Sequence, residues 1–158
     1  MNDLTHLDES GRPRMVDVSG KEVTARSARA AGVLTCKAET LDRVRAGTTP
    51  KGSVIATAEL AGIMAGKRTA ELIPLCHPLP LTVIEVRIEI DDALPGFRIA
   101  SRARTNGVTG VEMEALTAVS VAALTLFDML KAVDCTMAIG GIEVTGKSGG
   151  RSGDWRRG

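Results

Sequence analysis

The chain has 158 residues, a formal net charge of +1 and 44% hydrophobic residues, which is typical of one globular domain with its own core. The balanced charge excludes the overall positive field of a nucleic-acid or membrane-surface protein, so an anion site must come from local clustering. Aromatic residues are 2% of the chain and tyrosine is absent, which excludes base-stacking platforms.

Cysteine and histidine are scarce. The three cysteines form no CxxC pair and there are two histidines, which argues against a disulfide framework and against a zinc site. No uncharged run reaches the roughly 18 residues that span a bilayer. Acidic residues stand near the N-terminus where a signal peptide would be basic. We expect a cytoplasmic protein with no nucleic acid, membrane or metal partner.

Residues 1–20 are polar and rich in turn formers, which predicts an N-terminal arm. Residues 21–158 are predicted to form a single domain with a glycine-rich tail. Within it, residues 22–36 are undecided, because their alanines and arginines favour a helix while Val23, Thr24 and Val33 favour a strand.

Two helices are predicted next. Residues 39–46 form a short helix that ends at Gly47, and a longer one begins at Ser53 as N-cap and runs to about Leu72, before Pro74.

A β-hairpin follows. Residues 84–90 and 97–104 alternate apolar with charged side chains, and the turn-forming residues 91–96 separate them. One face of this hairpin is therefore expected to be exposed to solvent.

Residues 110–133 predict a long helix that is apolar almost all round and so needs cover on several sides. Thr109 and Glu112 have the spacing of a capping box. Residues 137–145 predict a last strand, with a bulge at Gly140 and Gly141. If 22–36 is a strand, the order predicts an α+β fold of the ferredoxin-like type, an antiparallel sheet with helices packed on one face.

Charged groups on the long helix are the first candidates for chemistry. Asp128 and Lys131 share one helix face among apolar neighbours, so we expect a partly buried pair that exchanges protons rather than a surface ion pair. Glu114 lies in an apolar segment without a basic partner four residues on. It is expected either at an exposed rim or in a site.

Three loop segments are also candidates. His77 stands on a turn between Pro74 and Pro78, where ligand contact and a structural role are equally open. Lys51 precedes a helix N-terminus, where an anion or solvent is expected. Residues 141–148 match the Walker A pattern, but the matched residues are strand-like and no helix follows, which argues against a P-loop ATPase. A non-catalytic nucleotide-binding module is a further alternative.

Four long segments resemble one family. The segments LTHLDESGRPRMVDVSGK, AGIMAGKRTAELIPLCHPLPLT, TGVEMEALTAVSVAALTLFDMLKAVD and KSGGRSGDW are similar to the cyclic pyranopterin monophosphate synthase family. The resemblance implies a ferredoxin-like fold and a lyase that converts 3′,8-cyclo-7,8-dihydro-GTP to cyclic pyranopterin monophosphate. Pyrophosphate is released in this early step of molybdenum cofactor biosynthesis. It also implies a homohexamer, a trimer of dimers with active sites at subunit interfaces, and no essential cofactor.

The matching motif positions imply roles for particular residues. Asp128 is the expected catalytic acid or base, working with Lys131 and Lys51. Expected substrate contacts are Leu75, Cys76, His77, Met113, Glu114, Arg26 and Lys147, with Arg26, Lys51 and Lys147 holding the triphosphate or assisting proton transfer. One departure is Phe127, where the family commonly has a tyrosine.

Overall fold

The computed structural model describes residues 6–158 and contains, within them, five strands and four helices. In chain order they are β1 (Thr24–Thr35), α1 (Ala38–Ala46), α2 (Val54–Gly66), α3 (Thr69–Leu72), β2 (Leu81–Asp91), β3 (Gly96–Gly107), α4 (Glu112–Leu130), β4 (Ala138–Ser148) and β5 (Trp155–Arg156). The first five residues of the predicted arm lie outside the described part.

All neighbouring strands are antiparallel, in the order β2-β3-β1-β4-β5. With the helical segments after β1 and β3, this is the split βαβ arrangement, so the predicted ferredoxin-like fold is confirmed. The undecided segment 22–36 is a strand, because β1 pairs with β3 on one side and β4 on the other. That long-range pairing overrides its local helix preference.

The core lies between the sheet and α4. Residues Ala115, Ala118, Ala122 and Leu126 of this helix are fully buried. By length and composition α4 could cross a membrane, but 56% of its most apolar window is buried in the fold, as in the core helix of a globular protein. The expectation that this helix is covered on more than one side is confirmed by its contacts with the sheet and with α2.

Helices α2 and α4 approach each other closely where both carry small residues. A Cβ atom at Gly62 would lie 2.6 Å from the backbone oxygen of Ala118 and 3.1 Å from the Cβ of Ala122. Glycine is therefore required at this crossing, since a methyl group would push the two helices apart.

The predicted helix 53–72 is wrong in one respect, because it is two helices separated at Lys67 and Arg68. The hydroxyl of Thr69 donates to the carbonyl of Gly66 at 2.8 Å and so competes for an acceptor at the end of α2. Ser53 is the N-cap residue as predicted, but its side chain makes no capping hydrogen bond.

The predicted capping box of α4 is also wrong. Val111 occupies the N-cap position, and no side-chain capping bond is present. Thr109 bonds instead to the carbonyl of Gly110, and the carboxylate of Glu112 pairs with Lys147 at 3.2 Å. The ion pair between Glu112 and Lys147 of β4 therefore takes the place of the two capping hydrogen bonds expected between Thr109 and Glu112.

The last strands settle two further predictions. The pairing of β1 with β4 contains an extra residue between Gly140 and Glu143, which confirms a bulge beside the glycine pair. The Walker-like residues 141–148 lie within β4, and the chain then turns through three glycines with positive φ into β5. Without a helix after the pattern, a P-loop is excluded.

Candidate functional site

Two lysines hold one aspartate at the C-terminal end of α4. Asp128 accepts from Lys51 Nζ through Oδ2 at 2.6 Å and from Lys131 Nζ through Oδ1 at 2.9 Å. Lys51 comes from the loop between α1 and α2, 77 residues before Asp128. We call these three residues the Lys-Asp-Lys cluster, and it contains all three of the predicted catalytic residues.

The cluster keeps its carboxylate ionised. The hydrogen bond from Lys131, followed by that from Lys51, lowers the pKa of Asp128 from 3.8 to about 2. The three side chains are 47%, 53% and 56% exposed for Lys51, Asp128 and Lys131, so the expected partial burial of the pair is wrong for the single chain. The cluster has two ammonium groups for one carboxylate, so it can bind an anion and donate protons to it.

A buried carboxylate fixes the segment that carries Lys131. Asp134 is 2% exposed and accepts hydrogen bonds from the backbone N–H of Lys37 at 2.9 Å and of Thr136 at 2.9 Å, and from the hydroxyls of Thr40 and Thr136. Burial alone would raise the pKa of Asp134, but these hydrogen bonds outweigh it and lower the pKa to about 2. Asp134 thus ties the end of α4 to the start of α1, the helix that leads to Lys51.

A cleft of about 430 Å³ lies at the opposite end of α4, and we call it the N-terminal cleft. It is lined by Leu75, Cys76, His77 and Met113, which are four of the predicted substrate contacts. His77 donates from Nε2 to the carbonyl of Val16 at 2.7 Å, so the described part of the N-terminal arm forms one wall.

Glu114 is only 3% exposed and lines a separate cavity of about 140 Å³, where it contacts the cleft residue Cys76. Cys76 donates from Sγ to Glu114 Oε1 at 3.8 Å, while Oε2 has no hydrogen-bond partner among residues 6–158. Burial raises the pKa of Glu114, and burial followed by the nearby Glu114 raises the pKa of Cys76, so the surroundings favour the neutral form of both groups. Of the two sequence alternatives for Glu114, the exposed rim is excluded.

The remaining predicted cations lie at this end as well. Arg26 donates from Nε to the carbonyl of Gly107 at 3.0 Å, and Lys147 contacts Glu112 and the Ser152 hydroxyl, the latter at 3.1 Å. Sequence reasoning missed the pair of Lys147 with Glu112, since only the fold brings β4 beside the start of α4. In the described part of the chain, no group of three His, Cys, Asp or Glu residues could hold a metal ion.

The predicted site residues therefore form two groups in one chain. Met113 and Asp128 are 15 residues apart on α4, which corresponds to about 22 Å along a helix at its usual rise. The Lys-Asp-Lys cluster and the N-terminal cleft are too far apart to act together on one reacting bond within a single chain.

Comparison with known proteins identifies the family. The MoaC family model matches residues 15–150, which is most of the chain. The chain belongs to the MoaC family. It is 60% identical over 155 residues to the "Cyclic pyranopterin monophosphate synthase" of Roseiflexus sp. (strain RS-1), covering 98% of each chain.

Two further relatives carry the same name. The protein of Methylobacterium sp. (strain 4-46) is 59% identical over 155 residues, covering 98% of this chain and 97% of its own. The protein of Brucella ovis is 59% identical over 152 residues, covering 96% of this chain and 92% of its own. These matches confirm the resemblance that the four sequence segments indicate for this MoaC chain.

The first prediction concerns Asp134 and acid. We expect Asp134→Asn to lower the free energy of unfolding at neutral pH by about 2 kcal/mol or more, because an amide cannot replace the charge-assisted bonds. The pKa of Asp134 is depressed by folding, so its contribution is present above pH 3.8 and is lost as the pH falls towards about 2. The difference in the free energy of unfolding between the variant and the unchanged protein should therefore become smaller as the pH falls from 3.8 towards about 2.

Denaturant unfolding at neutral pH and near the lower limit of this window measures the effect, with Asp42→Asn on the exposed face of α1 as the matched control. A deficit that is equal at both pH values, or equal in the two variants, would contradict the assigned role of Asp134.

Proposed function

We propose that this chain converts 3′,8-cyclo-7,8-dihydro-GTP to cyclic pyranopterin monophosphate with release of pyrophosphate, as a lyase of molybdenum cofactor biosynthesis. The observation that carries the proposal is the identity of 60% and 59% to proteins named cyclic pyranopterin monophosphate synthase over nearly the whole chain. We also propose a cytoplasmic location for this chain.

The Lys-Asp-Lys cluster is proposed to be the catalytic group. Closure of the cyclic monophosphate forms a phosphorus–oxygen bond from a hydroxyl, which must lose its proton, and breaks the bond to pyrophosphate, which leaves with negative charge. The ammonium groups of Lys51 and Lys131 lie on opposite oxygens of Asp128, where they can stabilise that charge and supply protons. Asp128 holds both lysines and, as the ionised carboxylate of the cluster, is proposed to accept the proton that the hydroxyl loses.

The N-terminal cleft is proposed to bind the substrate ring. Its wall combines apolar surface with a few polar groups, which suits a heterocycle. The thiol of Cys76 lines this wall and donates to Glu114, whose Oε2 has no hydrogen-bond partner among residues 6–158 and faces a separate, smaller cavity. Leu75, His77 and Met113 complete the proposed ring contacts, while Arg26 and Lys147 are proposed to face the phosphates.

Because the cluster and the cleft lie at opposite ends of α4, we propose that a complete site takes its parts from two subunits of a homohexamer, a trimer of dimers. Exposed apolar side chains on α2 and α4 support association: Leu60, Met64 and Leu124 are 57%, 50% and 59% exposed. Surface of this kind is typical of a protein contact.

The second prediction tests the catalytic group. Lys51→Ala and Lys131→Ala should each reduce product formation by about 100-fold or more, because each removes a positioned proton donor. The fold should survive, since both side chains are about half exposed. Pyrophosphate release from the substrate measures the effect.

Lys37→Ala is the matched control, because it removes a lysine near the same end of α4 while its backbone bond to Asp134 is kept. Turnover close to that of the unchanged protein in either the Lys51 or the Lys131 variant would refute the assignment of the cluster.

The third prediction concerns assembly. Light scattering of the purified chain at micromolar concentration should give six times the chain mass of 16.6 kDa, because the separated site parts require association. A stable monomer that retains full activity would exclude a shared site.

A further inference from the structure

Two arginines stand on the face of the sheet that points away from α4. Arg29 is exposed in β1 between two alanines that are buried in the core. In β3, Arg102 follows Ser101, whose hydroxyl donates to the Ala115 carbonyl of α4 at 2.7 Å. Side chains alternate between the two faces of a strand, so Arg29 and Arg102 both project from the face opposite to α4. We call it the open face of the sheet.

The strand register places a third arginine in the same row. Arg102 pairs with Arg29, and Arg29 pairs with Gly146. Gly146 in turn pairs with Arg156 of β5. Residues that pair directly in antiparallel strands project from the same face, and Gly146 has no side chain to fill the space between Arg29 and Arg156. The Cα atoms of these two arginines are two strand spacings apart, roughly 10 Å, with an open gap between them.

A cavity of about 250 Å³ lies over this gap, and we call it the open-face cavity. It is lined by Gly146 and the three arginines, and Asp154 is the acidic residue of its wall. Lys147 also borders it, although the ammonium group of this lysine contacts Glu112 at the start of α4. The open-face cavity shares no lining residue with the N-terminal cleft, so the two are separate spaces.

The fold leaves the positive charge of this cavity uncompensated. Within residues 6–158, none of the three arginines forms an ion pair, although Glu85 of β2 stands opposite Arg102 in the register. Like charges directly opposite each other destabilise a pair of strands, and Arg29 and Arg102 are such a pair. Nε of Arg102 is also buried with no hydrogen-bond partner among the same residues. An anion in the cavity would compensate the charges and supply an acceptor.

We infer that the open-face cavity is a binding site for pyrophosphate or a similar small anion with two phosphate groups. Arg29 and Arg102 contact one phosphate group and Arg156 contacts the other, because the paired N–H groups of guanidinium match phosphate oxygens. The volume of about 250 Å³ is below the roughly 300–1,000 Å³ of pockets for larger organic ligands, which favours an inorganic anion over a nucleotide. The site is independent of the proposed function, since none of the proposed catalytic residues lines it.

Trp155 reports on this site directly, because it lines the cavity and is the single tryptophan of the chain. Titration of the full-length protein with inorganic pyrophosphate should change the fluorescence of Trp155 to saturation. Arg29→Gln and Arg156→Gln should each raise the Kd by about tenfold, as for loss of one charge-assisted contact. Both side chains are exposed, so the fold should be kept. Arg43→Gln, the matched control, removes an exposed arginine of α1 and should leave the Kd unchanged.

A second comparison separates the open-face cavity from the phosphate contacts proposed on the α4 side of the sheet. Arg26→Gln should reduce product formation and keep the pyrophosphate response of Trp155, whereas Arg29→Gln should keep product formation and weaken the response. The inference is refuted if Arg29→Gln and Arg156→Gln bind pyrophosphate as tightly as Arg43→Gln, or if the unchanged protein gives no saturable response. Loss of the response in Arg26→Gln alone would place the anion on the α4 side and also refute it.

Discussion

The burial of α4 across the sheet is the constraint on which the rest of the structure depends. Its small buried side chains allow β1, β3 and α2 to pack closely around it, so the helix is held rigidly along its length. A rigid helix fixes the distance between its two ends. The acidic residues near those ends, Glu114 at the start and Asp128 at the finish, therefore belong to different places in one chain.

Each end of α4 is completed by segments from elsewhere in the fold. At the C-terminal end, Asp134 joins the helix to α1, and the loop after α1 brings Lys51 to Asp128. At the N-terminal end, the pairing of β1 with β4 brings the tail beside Arg26, and Lys147 reaches Glu112. The first end is an ionised cluster and the second is a partly apolar cleft with cations beside it. In the proposed reaction the cleft binds the ring and the cluster transfers protons, so both environments must meet at one substrate.

The sequence predicted the parts of the fold that depend on local pattern. Alternation predicted β2 and β3, and Gly47 marked the end of α1, where it adopts positive φ. Residues 22–36 could not be decided locally, because strand pairing with β3 and β4 determines their conformation. The break of the helix at Lys67 was missed because the hydroxyl of Thr69 competes for a backbone carbonyl, a contact that hydrophobic spacing does not report.

The sequence predicted which residues belong to the candidate site better than it predicted how they contact one another. Spacing on one helix face was enough to pair Asp128 with Lys131, but the contact with Lys51 spans 77 residues and came only from the resemblance. The sequence alone could not show whether Glu112 caps α4 or forms an ion pair with Lys147. Likewise, the burial of Glu114 follows from how α4 meets the segment that contains Cys76, which is a tertiary property.

The most direct test of the shared site is complementation between two inactive variants. Asp128→Ala disables the Lys-Asp-Lys cluster, and His77→Ala disables the N-terminal cleft. If each site combines the cluster of one subunit with the cleft of another, co-expressed and co-purified mixtures contain some sites with both parts intact. Random pairing in dimers should then restore about a quarter of the activity of the unchanged protein. Mixed oligomers that contain both variants and show no activity above that of either variant alone would contradict a site built from two chains.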